Sequence, residues 1–429
     1  MCTPICHSLR KWAQMFHRRL SAVALVAVGA LAVTTMSAPS SVAADTERAE
    51  ASSTNRDSGE RSATVIVQLE EGGGDHASRY ADVKKRIGEA VAQASPGATI
   101  EDVRDYHHVF EGFAIKVPAD TMAAIKGVQG VKGAFFEGRH EPVTDPDFWD
   151  MRDHSTDSSP DRGTASRMTG AAAASQRGQG QVIEVIDVGV DTSHEAFAGS
   201  LDAASARLTR QAMTSLAPSL GAGKDGAWVS DKIPFAYDYG DGDTDATTGN
   251  ASSRASEQGT HVASLATANG TSFTGAAPGA QLVVAKVTSD DTYTAYDTAL
   301  LAALDDAAVI KPDALTVSFS TLEGMSSDSV ALYSQVYQRL TEAGVVVNAP
   351  AGNDGNSSYG TDPDTGLLGF PAFYSSTLAV ASVNEQDAAD LGTGAITVSD
   401  FSGTGATYDL RLKPEVAAPG GEVMAASPG

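Results

Sequence analysis

From residue 178 onward, short apolar runs alternate with segments of helical spacing, and this alternation limits the fold more than any other feature of the chain. An apolar run between two helical segments is typical of a strand buried on both faces. Strands separated by helices indicate an α/β fold with a parallel sheet covered on both sides. We predict strands at Val182–Asp187, Gln281–Val287, Asp313–Phe319, Gly344–Gly352 and Thr377–Val383. We predict helices at His261–Ala268, Thr294–Ile310 and Ser327–Gly344.

A smaller pattern occupies residues 63–138. Strand-like runs and helical stretches follow one another at Ala63–Glu71, Tyr80–Ala94, Phe110–Pro118, Thr121–Gly127 and Gly130–Phe136. We predict a compact β-α-β-β-α-β module, which is a small α+β domain, and these segments are five of its six elements. The polar stretches on either side, residues 44–62 and 139–177, are predicted to be a flexible linker and a processing linker.

Residues 1–43 have the layout of a secretory signal peptide. Basic residues between Arg10 and Arg19 precede an apolar run at Ser21–Val33, and small residues follow as far as Ala44. The run is shorter than the roughly 20 residues that a membrane span needs. We therefore expect cleavage near Ala43 or Ala44, a secreted or cell-envelope location, and no membrane anchor in the mature form.

Charge and cysteine content exclude several classes of function. The formal net charge is -24, which disfavours binding to nucleic acid or to an anionic membrane surface. Both cysteines, Cys2 and Cys6, lie in the predicted signal peptide. The mature chain is therefore expected to have no disulfide framework, no cysteine metal ligand and no cysteine nucleophile.

Six motifs along the region 178–429 carry a resemblance to a known family. They are DVGVDTSHEAF (187–197), GTHVASLATANG (259–270), GAAPGAQLVVAKV (275–287), VVVNAPAGNDG (345–355), GFPAF (369–373) and KPEVAAPGG (413–421). In this order they resemble the catalytic domain of subtilisin-like serine proteases, in particular the large lactocepin-like cell-envelope proteinases of Gram-positive bacteria. The module at 63–138 is similar to the inhibitory propeptides of that family, which are ferredoxin-like domains.

The resemblance implies a role for each residue that matches a motif. Asp187 matches the carboxylate that holds the catalytic base, and Asn353 matches the amide that stabilises the oxyanion. Ser318, Phe319 and Ser320 match the segment that lines the cleft and pairs with an extended polypeptide. The expected partners are accordingly a polypeptide and the chain's own propeptide.

Two departures from the family's pattern affect catalysis. The position of the catalytic histidine is occupied by Gln258, whose amide has no basic nitrogen at neutral pH. His261 lies one helical turn further on, and its side chain is expected about 5–6 Å away, too far to replace the base. No Gly-Thr-Ser-Met or Gly-Thr-Ser-Ala motif for the nucleophile occurs before Gly429, so we expect the peptidase domain to be incomplete.

Smaller departures surround these positions. Val188 replaces the small or hydroxyl residue that follows the aspartate in the family, and Ser320 stands where the family has glycine. Glu184 places a carboxylate on a central strand, so it must either find a partner or lie on a strand less buried than the pattern suggests.

Three functions stay open on the sequence alone. The chain is part of a secreted subtilisin-like endopeptidase precursor, or a non-catalytic relative that binds protein segments without cutting them, or the product of a degraded gene. In each case the chain as written is expected to be inactive. No cofactor is expected. Asp238, Asp241, Asp243 and Asp245 crowd into one loop that offers oxygen ligands to calcium, but a solvated acidic loop is the favoured interpretation.

Overall fold

The structure is a computed structural model. It describes residues 62–72, 76–140 and 164–427, apart from internal gaps at 222, 225, 249–256, 272, 321–324, 354, 356–367, 385–395, 408 and 422. The predicted signal peptide, nearly all of the first linker and residues 141–163 of the second lie outside the described residues. Within the described part of the chain, no helix is both long and apolar enough to cross a membrane.

The N-terminal module has the predicted β-α-β-β-α-β order. Its elements are β1 (Ser62–Leu69), α1 (His76–Ala94), β2 (Glu101–Tyr106), β3 (Gly112–Pro118), α2 (Met122–Lys126) and β4 (Val131–Phe136). The four strands form an antiparallel sheet in the order β2-β3-β1-β4. Val83, Ile87 and Val91 project from one face of α1 at intervals of four residues and pack on the sheet, so the 3.6-residue period places the module's core there.

A short antiparallel pair joins the module to the rest of the molecule. It consists of β5 (Arg139–His140) and β9 (Ala295–Tyr296). The predicted processing linker thus begins with a strand. A polar composition predicts a linker, but it does not reveal that one of the residues pairs with a distant strand.

A seven-stranded parallel sheet forms the larger domain, in the order β7-β8-β6-β10-β11-β12-β13. The strands are β6 (Val182–Asp187), β7 (Phe235–Asp238), β8 (Gln281–Lys286), β10 (Ala314–Val317), β11 (Val346–Pro350), β12 (Leu378–Asn384) and β13 (Val416–Gly421). The helices are α3 (Thr164–Met168), α4 (Arg210–Leu216), α5 (Gln258–Thr267), α6 (Asp297–Ile310) and α7 (Ser327–Glu342). The predicted α/β class is confirmed.

Helices cover both faces of this sheet. Ile183 and Val185 of β6 pack with Val262 and Ala266 of α5 on one face. Ile186 of the same strand packs on the other face, in the larger core that α6, α7 and residues of the N-terminal module share. All six residues of β6 are therefore buried, as expected of a central parallel strand.

Glu184 is the exception to the apolar character of β6. Its side chain is fully buried, and neither carboxylate oxygen has a hydrogen-bond partner among the described residues. Burial, with a smaller contribution from Asp306, raises the pKa of Glu184 well above its ordinary value. The strand is therefore as buried as the sequence pattern suggests, and the protonated form of Glu184 is favoured.

The N-terminal module packs against α6 and α7. The carboxylate of Asp305 on α6 accepts the successive backbone N–H groups of His107, His108 and Val109, at 3.1, 2.8 and 2.8 Å. Arg339 on α7 donates to the carbonyl oxygen of Val109 at 3.0 Å. Partly buried hydrogen bonds and a shared apolar core thus hold the module on the helices.

Candidate active site

The candidate residues gather where parallel strands end. Asp187 is the last residue of β6 and pairs in register with Lys286, the last residue of β8. On the other side, Ile186 pairs with Val317 at the end of β10, and Ser318 follows directly. Carboxyl ends of parallel strands meet at one edge of the sheet, which is where α/β folds place their functional groups.

Asp187 lies inside this edge with 1% of its surface exposed. Its Oδ1 accepts the backbone N–H of Val188 at 2.7 Å. Burial raises the pKa of Asp187 to about 7, because the hydrogen bonds from Val188 and the Ser318 side chain, which favour the charged form, only partly offset the loss of water. A cation beside this carboxylate would favour the ionised form further.

Gln258 is the first residue of α5, and an unusually close approach of two backbones brings it to the end of β6. A Cβ on Gly259 would lie 1.9 Å from the carbonyl oxygen of Gly189, so only glycine fits there. The amide of Gln258 donates from Nε2 to the carbonyl oxygen of Ser318 at 2.9 Å and to Ser318 Oγ at 3.1 Å. Gln258 thus reaches the edge where Asp187 lies, and its amide serves there as a donor.

The two histidines nearest to Gln258 in the sequence make contacts away from Asp187. His261 is also on α5, and its Nε2 lies 3.5 Å from Glu257 Oε2. His194 accepts the backbone N–H of Ala196 at 3.0 Å and so caps the short helical turn Glu195–Phe197. These contacts give both rings structural partners in this conformation.

Asn353 follows β11 at the same edge. It is 1% exposed, and neither atom of its side-chain amide has a hydrogen-bond partner among the described residues. A buried amide without a partner carries a desolvation penalty, which a ligand that accepts its N–H would relieve. Phe319 is buried and Ser320 is half-buried beyond β10, where the sequence predicted the wall of a cleft.

One lysine partly compensates the negative charge of the acidic loop after β7. Carboxylate oxygens of Asp238, Asp241 and Asp290 lie close together, but the ammonium group of Lys286 lies among them. Lys286 Nζ is 2.5 Å from Asp238 Oδ2 and also hydrogen-bonds Asp290. Asp243 and Asp245 instead accept backbone N–H groups within their own loop.

Sequence reasoning missed Lys286 and Asp290 in this cluster. Lys286 stands in an apolar motif whose pattern marked it only as a strand residue, and Asp290 lies 49 residues beyond Asp241, whose carboxylate it meets through its backbone N–H. The parallel register of β7 with β8, which pairs Asp238 with Lys286, brings the lysine to the loop.

The profile of the subtilase family matches residues 178–428, which is more than half of the chain. The chain belongs to the subtilase family. These are subtilisin-like serine proteases, so the family predicted from the six motifs is confirmed.

Two relatives align with the sequence of this subtilase chain over different lengths. It is 28% identical over 366 residues to the PII-type proteinase of Lactococcus lactis subsp. cremoris, covering 79% of this chain and 17% of that protein. It is 31% identical over 222 residues to the C5a peptidase of Streptococcus pyogenes serotype M6, covering 48% of this chain and 18% of that protein. The chain thus spans less than a fifth of the length of either curated relative.

A solved structure has a similar fold. The epidermin leader peptide processing serine protease from Staphylococcus aureus aligns with a TM-score of 0.51 and 15% identity, covering 83% of this chain and 75% of that one. At this identity the likeness concerns the fold of the subtilase chain alone.

Proposed function

We propose that this chain derives from secreted subtilisin-like serine endopeptidases and does not itself hydrolyse peptide bonds. The observation that carries the proposal is Gln258 at the start of α5, with its amide donating to Ser318 beside Asp187. Acyl transfer from a peptide needs a group that takes the nucleophile's proton, and an amide has no basic nitrogen for this step.

The remaining groups would serve the same chemistry if a base were present. Asp187 would orient the base and stabilise its cation, and the Asn353 amide would donate to the oxyanion. Loss of the histidine from such a triad lowers turnover about a millionfold. The oxyanion donor and the cleft that remain would leave about a thousandfold acceleration over water, which is negligible for digestion of proteins.

A second candidate function is binding of polypeptide segments without hydrolysis. Two observations support it. The buried amide of Asn353 has no hydrogen-bond partner in the part of the chain that the structure describes, and the chain's own segment Arg139–His140 already pairs as an extended strand with Ala295–Tyr296. Strand addition of this kind supplies main-chain hydrogen bonds to any sequence. The N-terminal module would then stay in place as an internal ligand unless another protease removes it.

Hydrolysis of a dye-labelled unfolded protein by the purified chain tests the first proposal. We expect the same rate as buffer alone, with no change on adding a serine-directed sulfonyl fluoride. The Asp187→Asn variant is the matched control, because a contaminating protease would give equal rates in both preparations. Hydrolysis that the inhibitor blocks and that Asp187→Asn abolishes would overturn the proposal.

Amide hydrogen exchange tests the second candidate function on the same preparation. An excess of unfolded protein should slow exchange in residues 317–320, which line the expected cleft. Unchanged exchange in that segment at saturating concentration would contradict polypeptide binding there.

A further inference from the structure

The imidazole ring of His140 occupies an enclosed site built by the larger domain. Its Nε2 lies 3.1 Å from Asp297 Oδ1, and its ring stacks on Phe370 at 5.5 Å between centroids with an interplanar angle of 9°. Only 6% of His140 is exposed. We call the three residues Asp297, Tyr333 and Phe370 the histidine cradle.

The cradle is assembled from separate elements of the larger domain that hold one another in place. Tyr333 on α7 donates its hydroxyl to Asp297 Oδ1 at 2.7 Å, and its ring meets Phe370 edge-on at 4.9 Å between centroids. Both aromatic rings are fully buried. The cradle therefore keeps its shape through contacts that do not involve the N-terminal module.

Asp297 gives the cradle a strong preference for a hydrogen-bond donor. Burial acts to raise the pKa of Asp297, but His140, the Tyr333 hydroxyl and the Gly138 amide outweigh it and leave the pKa below its ordinary value. The carboxylate is therefore ionised in a site from which water is largely excluded. An occupant without a donor would leave part of this buried charge uncompensated.

The site also places a steric requirement on position 138, two residues before His140. Gly138 donates its N–H to Asp297 Oδ2 at 2.7 Å and accepts the Asp297 N–H at 3.1 Å. A Cβ on Gly138 would lie 2.8 Å from Asp297 Oδ2, closer than real Cβ contacts allow. Glycine is therefore favoured two residues before the histidine.

We propose that the histidine cradle is a side-chain subsite that selects histidine, with glycine two residues before it, in an extended polypeptide paired with Ala295–Tyr296. Residues 138–140 of this chain are the occupant in the structure. The proposal rests on the second candidate function, since it presumes that the cleft takes extended polypeptide, and it names which sequences the cleft prefers. Main-chain pairing supplies affinity for any segment, and the cradle supplies the selection.

The first experiment substitutes residues 138 and 140 within the full chain and measures how readily β5 separates from β9. His140→Ala, His140→Phe and Gly138→Ala should each raise the opening equilibrium of β5 about tenfold or more, read from hydrogen exchange of residues 138–140 and 295–296. His140→Phe keeps the stacking on Phe370 and removes the donor, so it separates shape from hydrogen bonding. In the Asp297→Asn background the difference between His140 and Phe should shrink to about twofold or less.

The second experiment supplies the occupant as a separate peptide. Labelled peptides of sequence EGRHEPVT, EGRAEPVT, EGRFEPVT and EARHEPVT are titrated into the His140→Ala chain, and binding is read by fluorescence anisotropy. The first peptide should bind about tenfold more tightly than the other three.

Two other outcomes would distinguish failure of selection by the cradle from failure of polypeptide binding itself. Equal affinities for the four peptides would overturn selection by the cradle and leave a cleft that binds polypeptide. No binding of any peptide, with unaltered exchange in the variants at 138 and 140, would overturn both.

Discussion

The side chain at position 258 determines whether the charge of the neighbouring Asp187 carboxylate is compensated. The Gln258 amide donates to the Ser318 carbonyl and hydroxyl at the edge where the Asp187 carboxylate lies. Burial, only partly offset by hydrogen bonds, raises the pKa of that carboxylate to about 7. In a subtilase with histidine here, an imidazolium would compensate the aspartate's charge. Asp187 in this chain lacks that compensation.

Gln258→His should therefore lower the pKa of Asp187 below 7, because a nearby cation favours the ionised carboxylate. The carboxyl carbon signal of Asp187, followed by NMR from pH 4 to 9, measures the change. Gln258→Ala is the control: it removes the amide without adding a cation and should leave the Asp187 pKa near 7. The same pKa in both variants would show that position 258 does not act on Asp187.

Glu184 predicts how stability depends on pH. Its pKa is raised in the folded chain above the ordinary 4.5, so between these two values the unfolded chain binds fewer protons than the folded one. The free energy of unfolding should consequently fall as pH rises above about 4.5, by up to 1.4 kcal/mol per pH unit from this one group. Glu184→Gln should lose this component, which urea unfolding of both proteins at pH 5 and pH 8 would detect. A parallel fall in both proteins would contradict the assignment.

The positions of several candidate site residues could be predicted from the sequence, because each stands inside a motif or at a strand end. Asp187, Gln258 and Asn353 are of this kind. The state of Glu184 could not be predicted, since the sequence offered two outcomes and only the packing around β6 decides between them. The Lys286 ammonium and the His140 ring were also missed, because each finds its carboxylates through strand register with residues far away along the chain.

At the scale of elements, the contact between α5 and the turn after β6 is so close that it leaves no space for one additional carbon atom. Gly259→Ala would place a methyl group against the carbonyl oxygen of Gly189, so α5 must shift. We expect a loss of about 2–3 kcal/mol in the free energy of unfolding, measured with urea, and faster hydrogen exchange at the start of α5.

Gly88 on α1 provides the matched control for that substitution. A Cβ there would meet only Ile100 Cδ1, at an ordinary 3.8 Å. Gly88→Ala should therefore stabilise the chain by about 0.5–1 kcal/mol through helix propensity. Equal effects of the two substitutions would refute the close approach at Gly259.

The predicted elements agree with the structure wherever the hydrophobic period is long. The interior strands β6, β8, β10, β11 and β12 and the helices α6 and α7 were all predicted, with ends that differ by a few residues. The edge strands β7 and β13 were not. Their sequences, FAYD beside an Asp-rich loop and VAAPGG with proline and glycine, lack the continuous apolar run of a strand that is buried on both faces.

At the scale of the whole molecule, Asp305 ties the N-terminal module to α6 through three backbone N–H groups. Asp305→Ala would leave these donors unpaired in a largely buried interface. We expect docking of the module to weaken by about 3 kcal/mol, roughly a hundredfold. Hydrogen exchange of residues 107–109 in the full chain measures this opening.

Glu89 on α1 is the control for that experiment, because its carboxylate is exposed and pairs only loosely with Lys85 at 3.8 Å. Glu89→Ala should leave exchange at 107–109 unchanged. If Asp305→Ala also leaves it unchanged, the apolar core between module and helices holds the module without the aspartate.

Because of the strand order in the large sheet, β6 is synthesised well before the strands that pair with it. β6 is made first but lies in the interior, and its partner strands β8 and β10 begin about 100 and 130 residues later. At roughly 5–20 residues per second, the ribosome needs about 5–25 s to supply them. The N-terminal module is complete before β6 is made, so all four of its strands are available for pairing in that interval. The strand β6 and the module's residues that pack on α6 and α7 both wait for partners, so a holdase that captures the chain should bind it most strongly in this interval.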